Sequence, residues 1–382
     1  MRVAVVGGGG REQALRHVLS RTAEVVEDDD ADLYVIGPEA PLVEGLADRL
    51  RADGKLVFGP GADGARLEGS KAWMKEVLAA AGVPTARHGV FKEVDPAVEF
   101  LKSLPGLYVV KTDGLAAGKG VLVTESLADA ADDVRAKLSG SAFGAAGRTV
   151  VIEEGLSGGE LSVLAVCDGK QGVVLPTARD FKRAGDGDSG PNTGGMGAYS
   201  PVAEAEGHSF DEIIDRTLVE LRRRGIDYRG VLYAGLMLTP DGVKVLEYNV
   251  RFGDPEAQVV LPRFDGDLAR LLAEAAAGDL RSQPASADDA CVCVVLAAAG
   301  YPMAPRSGDV IAGVEEARQV GGVLIFEAGV GRDDTGRLVA AGGRVLDVCA
   351  LGPTVAEARR RAYEAVGLIS FDGMHFRSDI AA

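Results

Sequence analysis

Val3 to Val6 is a short apolar run that stops at Gly7-Gly-Gly-Gly10, and from Arg11 to Ser20 the apolar positions take helical spacing. Strand, turn and helix in that order open a doubly wound α/β unit. Two further runs, Leu33 to Ile36 ending in Gly37-Pro38-Glu39 and Lys55 to Phe58 ending in Gly59-Pro60, predict strands. A helical stretch around Leu42 to Ala52 lies between them, and this first unit is expected to close near Ser70, so that it spans residues 1–70. The next helix starts at Ser70 or Lys71, presents Trp73, Met74, Val77 and Leu78 at core-facing spacing, and ends at Gly82.

From Val90 to Ile152 short strand patterns alternate with Gly-rich turns and two helical patterns, and strands resume at Leu161 to Val166, Val173 to Pro176, Leu232 to Leu238 and Lys244 to Asn249. These predict an α+β middle domain over 71–280, with a subdomain at about 85–155. The remainder, 285–382, carries strands at Cys291 to Ala298, Val323 to Ala328 and Arg344 to Cys349 and a helix from Thr354 to about Val366, which predicts a small α+β cap. The class is therefore α/β and α+β multidomain. No repeat or low-complexity segment is visible, and Glu27 to Asp30 reads as a solvated acidic loop.

The chemistry concentrates on one strand. In Leu-Glu-Tyr-Asn-Val-Arg, period-2 alternation puts Glu247, Asn249 and Arg251 on one face. A carboxylate and an amide oxygen suit Mg²⁺, which takes oxygen ligands and shares its shell with substrate phosphates. Arg251 adds a permanent planar cation for oxyanions. Alone, the same pattern describes a polar edge strand.

Composition narrows what that strand can serve. The chain has 382 residues, more than one ordinary core, and a formal charge of -16, which argues against nucleic acid or an anionic membrane as partner. Anionic substrates would then require the basic residues to gather in one cleft. Cys167, Cys291, Cys293 and Cys349 form no C-x-x-C pair and read as buried reduced thiols. The N-terminal stretch is too short for a signal peptide and no run reaches transmembrane length, so a cytoplasmic protein is expected.

Several Gly-rich turns extend the site. Gly7 to Gly10 follows a strand and opens a helix, so its N–H groups could cradle a phosphate, but it lacks dinucleotide spacing and no nicotinamide cofactor is expected. Lys111 ends a strand and Gly114 to Gly120 carries Lys119 in a loop of small residues that can close over polyphosphate, without the Walker A ending. The strand Val150 to Ile152 ends in Glu153-Glu154 and leads to Glu160, where backbone groups could read an adenine edge and Glu160 could accept from ribose hydroxyls. Arg179 to Gly197 is long, polar and aperiodic, a kind of loop that compact domains keep mainly for function.

Lys71 within Gly-Ser-Lys, Gly114 to Gly120, Glu153-Glu154, Gly190 to Gly197 and Glu247 to Glu256 occur in the order found in ATP-grasp carboxylate-amine ligases. Gly37-Pro-Glu-Ala-Pro-Leu42, Leu67-Glu-Gly-Ser-Lys71, Asp113 to Lys119, Gly190-Pro-Asn-Thr-Gly-Gly-Met-Gly197 and Arg251-Phe-Gly-Asp-Pro-Glu256 resemble the phosphoribosylamine-glycine ligase (glycinamide ribonucleotide synthetase) family of purine biosynthesis over nearly the whole chain. Two departures stand out. Gln13 occupies a position that is usually His, and Val25 to Asp32 bridges a gap where the family has a further strand-helix unit.

The resemblance implies a shortened Rossmann-like pre-ATP-grasp domain, an ATP-grasp domain with a mobile lid, and a small C-terminal domain. It implies an ATP-dependent ligase that forms a glycyl phosphate and passes glycine to 5-phosphoribosylamine, with ATP and Mg²⁺ or Mn²⁺ as cofactors and a monomer, or a weak dimer, as the assembly. By the same resemblance Lys71, Lys111, Gly118, Lys119, Gly120, Glu153, Glu154 and Glu160 would bind ATP, and Glu247 and Asn249 the metal. Arg251, Lys111, Asp180, Lys182 and Asp254 would be catalytic. Gly8, Gly9, Gly10, Arg11, Glu12, Pro38, Glu39, Thr193, Gly194, Gly195 and Met196 would hold the substrates. The shortened first domain leaves two other readings open, a ligase for a different amine and a nucleotide-binding paralogue without catalysis.

Overall fold

The structure is a computed structural model that describes residues 1–27, 30–115, 120–140 and 148–382. Its first unit runs β1 (Arg2–Val6), α1 (Gly10–Leu19), β2 (Glu24–Val26), β3 (Leu33–Ile36), α2 (Glu39–Val43), α3 (Leu46–Ala52), β4 (Val57–Phe58) and α4 (Ala62–Gly69). The strands form a parallel sheet of order β2-β1-β3-β4. Three details differ from the sequence pattern. Glu24–Val26 pairs as a strand instead of only bridging, the stretch from Leu42 to Ala52 is broken where Gly45 takes φ +78°, and the strand at Lys55 shrinks to Val57–Phe58. β2 and β3 flank β1 in parallel, yet only residues 27–32 join them, where parallel crossovers ordinarily need about a dozen residues. Asp32 pins the return, since its carboxylate accepts from the Arg2 N–H at 2.7 Å.

α5 (Lys71–Ala81) leads into a smaller unit of β5 (His88–Phe91), α6 (Val94–Lys102), β6 (Tyr108–Thr112), β7 (Val121–Thr124), α7 (Leu127–Leu138) and β8 (Val150–Glu154). Its antiparallel sheet, β5-β8-β6-β7, has a core of its own built on Leu101, Val110, Val134 and Ile152. Gly82 at φ +64° ends α5 as its pattern predicts, because a left-handed C-cap favours glycine.

The rest of the chain comprises β9 (Gly159–Asp168), β10 (Gly172–Val174), β11 (Arg179–Asp180), β12 (Arg183–Gly185), β13 (Ser189–Asn192), β14 (Gly197–Ser200), α8 (Asp211–Arg223), β15 (Arg229–Thr239), β16 (Gly242–Asn249), α9 (Ala257–Val260) and α10 (Leu268–Ala277). β17 (Ala290–Ala297), α11 (Val314–Ala317), β18 (Val323–Glu327), β19 (Val330–Arg332), β20 (Leu338–Ala340), β21 (Arg344–Gly352) and α12 (Val355–Val366) follow. One sheet has the order β10-β9-β15-β16, and another the order β11-β14-β17-β21-β18. The second sheet takes β11 and β14 from the long polar loop region, so the residues around Asp180 and Gly197 are held by the strands of the C-terminal part. Both faces of the first sheet share apolar cores with these later strands. Val3, Val5 and Leu15 pack with Leu164 and Val231, and Tyr34 and Ile36 pack in the cluster of Val163 and Leu232.

All four cysteines are free and fully buried. Burial pushes each thiol up, so none is a ready thiolate. The native protein is expected to resist an aromatic disulfide reagent at pH 8 and to react at all four positions once unfolded, read as absorbance of the released thiolate.

Candidate active site

The pairing of β16 with β15 slips by one residue. Leu236 faces Val245 and Gly235 faces Glu247, which leaves Leu246 as an extra, bulged residue. The slip changes parity. Val245 and Tyr248 both enter one apolar core, whereas Glu247 and Asn249 turn to the opposite face beside Tyr233. The bulge also frees the Leu246 carbonyl, which accepts from Lys111 Nζ at 3.1 Å. At Gly235 an added Cβ would lie 3.2 Å from Glu247 Cγ, a tight contact that the carboxylate side chain would have to move to relieve.

Lysines converge on this wall. Ser70 caps α5 by accepting from Trp73 N, and Asp113 at the end of β6 accepts from Ala72 N at 2.7 Å, so the smaller unit is tied to the start of that helix. Lys71 then donates to Gly114 O at 3.1 Å. One turn later Lys75, 1 % exposed, lies 2.9 Å from Glu153 Oε2 and donates to Thr85 Oγ1, while Lys111 lies 2.9 Å from Glu153 Oε1. Burial drives Lys75 down to about 8, although Glu153 pulls the other way. Burial likewise lowers Lys71, but at Lys111 the attraction of Glu153 and Glu247 outweighs it and the ammonium is kept. Lys182 donates to both Asp180 oxygens at 2.7 and 2.8 Å and lies 3.5 Å from Glu160.

Burial pushes the Glu247 carboxyl up, yet the fields of Lys182, Lys111, Lys71 and Arg251 win and hold it below the usual carboxylate range. Among the described residues neither Glu247 nor Asn249 has a side-chain hydrogen bond or ion pair. An ionised carboxylate and an amide oxygen, adjacent, half-buried and unpartnered, fit a hard cation, since burying such oxygens without partners is otherwise costly. The basic residues of this acidic chain thus gather as the charge argument requires.

Other expected positions are engaged by protein groups. Arg251 is not a free phosphate ligand: its guanidinium pairs with Glu39 at 3.3 Å and Glu68 at 3.1 Å. Gly9 N donates to Glu12 Oε2 at 2.8 Å, and Glu12 in turn pairs with Arg11, so the first glycine turn is closed by its own helix. Glu12 explains two glycines, because a Cβ at Gly37 would lie 2.2 Å from Glu12 Oε1 and one at Gly7 2.8 Å from its Cγ. Pro38 caps α2, Gly8 has open space around it, and Gly120 O accepts from Thr112 N at 2.9 Å. Glu154 accepts from Arg87 N, Thr193 Oγ1 donates to Lys182 O and accepts from Gly195 N, and Met196 is fully buried. Gly118 and Lys119 lie outside the described residues. Gln13 makes a paired amide contact with the backbone of Glu327, giving to its O and accepting from its N, both at 2.8 Å.

Asp254 meets Arg344 at 2.8 Å, and Arg344 also donates to Gly194 O at 2.7 Å, which brings the Gly190–Gly197 segment, the Gly-Asp-Pro-Glu turn and β21 together. Gln258 bridges Asp254 and Asp347 at 2.7 and 2.9 Å. Burial, followed by the Asp254 charge, pushes the Asp347 carboxyl up to about 7. A raised acid stabilises the fold fully below its unfolded value and loses that contribution as pH rises through 7. Asp347→Asn is therefore expected to flatten the stability profile between pH 5 and pH 8, with a relative gain at pH 8 on the order of 2 kcal/mol in denaturant titrations. An unchanged profile would show that Asp347 ionises normally.

Glu68, Asp113 and Glu256 stand inside the quoted motifs without a role of their own, and Lys75, Gln258, Arg344 and Asp347 lie outside every motif. Only Lys75 carried a usable signal, standing four residues after Lys71 on the same helical face.

Three family models match the chain. The phosphoribosylglycinamide synthetase ATP-grasp (A) domain matches residues 69–257, the C domain of the same synthetase 291–382 and its N domain 19–68. The chain belongs to the phosphoribosylamine–glycine ligase family. Ligases of that name from Caulobacter vibrioides and Streptomyces coelicolor are each 47% identical to it, over 99% of this chain and 91% of the former, and over 100% of this chain and 99% of the latter. The Streptomyces alignment runs over 425 positions against 382 residues here, so that ligase has segments without a counterpart. The crystal structure of the phosphoribosylamine–glycine ligase from Thermotoga maritima superposes with a TM-score of 0.88 at 37% identity, over 100% of both chains. A biotin carboxylase domain from Hydrogenobacter thermophilus, solved with MgADP, shares the fold at a TM-score of 0.75 and 16% identity, over 98% of this chain and 91% of that one.

Proposed function

We propose that this chain joins glycine to 5-phosphoribosylamine at the expense of ATP, through a glycyl phosphate, to give glycinamide ribonucleotide, ADP and phosphate. The observation that carries the reading is the unpartnered Glu247–Asn249 oxygen pair ringed by Lys71, Lys111 and Lys182. Glu247 and Asn249 would hold Mg²⁺, or Mn²⁺ with its similar taste for oxygen, and the bound cation neutralises phosphate oxygens.

The protein's own groups do the rest. Lys71 and Lys111 bind ATP phosphates and offset the charge that builds as the γ-phosphoryl moves to the glycine carboxylate. Glu153, between Lys75 and Lys111, fixes the Lys111 ammonium where a single long side chain would otherwise wander. Closure of the unit with its separate core over the cleft excludes water, which an acyl phosphate requires. Lys182, steered by Asp180, faces glycine and the amine, and Asp254 receives the incoming amine. Burial raises Asp254, but Arg344 and Arg11 outweigh it and keep it ionised as an acceptor. The amine nitrogen attacks the acyl carbon, phosphate leaves, and one proton is released.

We place the enzyme in the cytoplasm as a monomer. Among the described residues no helix is long and apolar enough to cross a membrane. A coupled ADP assay with glycine and freshly generated phosphoribosylamine is expected to show turnover that needs both substrates; turnover with neither dependence defeats the reading. The six-residue β2–β3 link and the Gln13–Glu327 pairing favour one second reading, a ligase for another amine. A panel of amines in the same assay separates the two.

A further inference from the structure

We propose that the segment His375–Ile380 is a strap that positions Asp180 and Lys182 from behind, with Arg377 as its anchor. The proposal rests on the assignment of those two residues to the acceptor side of the reaction.

Asp180 and Lys182 alternate with Phe181 along an extended segment, so that they face the site while Phe181 faces away. The Phe181 ring carries the Arg377 guanidinium 4.9 Å from its centroid, and Arg377 Nη1 donates to Arg183 O at 3.2 Å. That guanidinium is 1 % exposed and makes four hydrogen bonds. It forks onto Asp379 with two bonds of 2.7 Å and reaches Asp188 at 2.7 Å, so carboxylates from both sides of the junction are locked to one planar cation. Around it the strap repeats the grip. Ser378 binds Asp186 through its N–H at 2.8 Å and its hydroxyl, Gly187 N donates to Asp379 Oδ2 at 2.8 Å, and His375 Nε2 meets Ala184 O at 2.7 Å.

The strap is itself held rigidly. Tyr363 OH donates to Arg377 O at 2.7 Å and Arg359 donates to Ser378 O and Ile380 O, which fastens it to α12, while His375 exchanges backbone bonds with Ala297 on β17. On the far side, Phe181 and Lys182 ladder onto Thr193, Met196 and Gly197. A rigid path therefore runs from the C-terminal sheet through Arg377 to the acceptor residues, whereas Lys71 and Lys111 hang on α5 and β6. The surface pairs alone would contribute little, and it is the buried fork over an aromatic ring that gives the strap its grip.

The test uses Asp186→Asn with Asp188→Asn, exposed hairpin positions outside the reacting groups, beside Arg377→Lys, which keeps the charge and loses the fork. A displacement of about 1 Å can cost about 10²-fold in rate, so kcat/KM for glycine is expected to fall roughly tenfold or more, with KM for ATP held within about twofold. Hydrogen exchange at Phe181, Thr193 and Met196 amides is expected to accelerate without change in the β5–β8 unit. Unchanged glycine kinetics with unchanged exchange, or equal losses for glycine and ATP that follow a lowered melting temperature, would overturn the strap. Were the wild-type enzyme indifferent to glycine, the functional reading would fall, and the exchange pattern alone would decide the strap.

Discussion

Glu247→Gln is expected to lower kcat/KM for ATP by about 10²–10³-fold, the scale of losing one group that stabilises charge in the transition state. The substitution keeps size and hydrogen-bonding capacity and removes the negative charge that Lys182, Lys111, Lys71 and Arg251 all face. Because Glu247 makes no hydrogen bond or ion pair among the described residues, its replacement by an isosteric amide removes only the longer-range attraction of those cations, and the melting temperature should stay within a few degrees, which is roughly 1 kcal/mol for a protein of this size. Raising the Mg²⁺ concentration should recover part of the lost rate if the carboxylate holds the cation. Full activity in the variant would remove the cation site from this strand, and inactivity accompanied by a collapse in melting temperature would make the role structural.

Arg251→Met is expected to be the most destabilising single change at the site. It strips the cation from Glu68, whose second oxygen accepts from Val250 N at 2.8 Å, and from Glu39. Breaking a buried pair by removing one partner typically costs about 3–5 kcal/mol. Burial already raises the Glu68 carboxyl and Arg251 is the main force opposing it, so without Arg251 the carboxyl rises further. A raised acid stabilises at low pH and loses that contribution as pH climbs through its folded value. The deficit should accordingly be larger at pH 8 than at pH 5, by denaturant titration. A deficit independent of pH would mean that lost packing, not an unpaired charge, is responsible.

These two residues lie four positions apart on one segment and have opposite fates. Both were legible as candidates, since E-x-N-x-R alternation needs only local periodicity. Their roles were not legible. Glu247 is left open because the slip at Leu246 turns it from the apolar core toward the lysines, and a register slip belongs to two paired strands rather than to one. Arg251 is occupied because α4 and α2 bring Glu68 and Glu39 to it from far earlier in the chain.

The same division holds along the molecule. Helix α5 was readable to its cap because Gly82 and the spacing of Trp73, Met74, Val77 and Leu78 are local signals. The break at Gly45 was missed, since a glycine inside a helical pattern gives no local sign of whether it will turn left-handed. Nothing local marks Lys75 as buried, since its counter-charge, Glu153, comes 78 residues later. Asp347 and Arg377 had no motif at all.

The sequence by itself determined the order of the elements, the family through its Gly-rich and acidic motifs, and the residue types from which a nucleotide and cation site is built. Each of these depends on neighbours within a few positions. Tertiary structure alone decided which charges stay free and which are spent on one another, how a bulge re-aims the central strand, and that β11 and β14 join the C-terminal sheet. Those outcomes turn on burial and on pairing between residues far apart in the chain, and a charge has no defined energy until its partners and its access to water are in place.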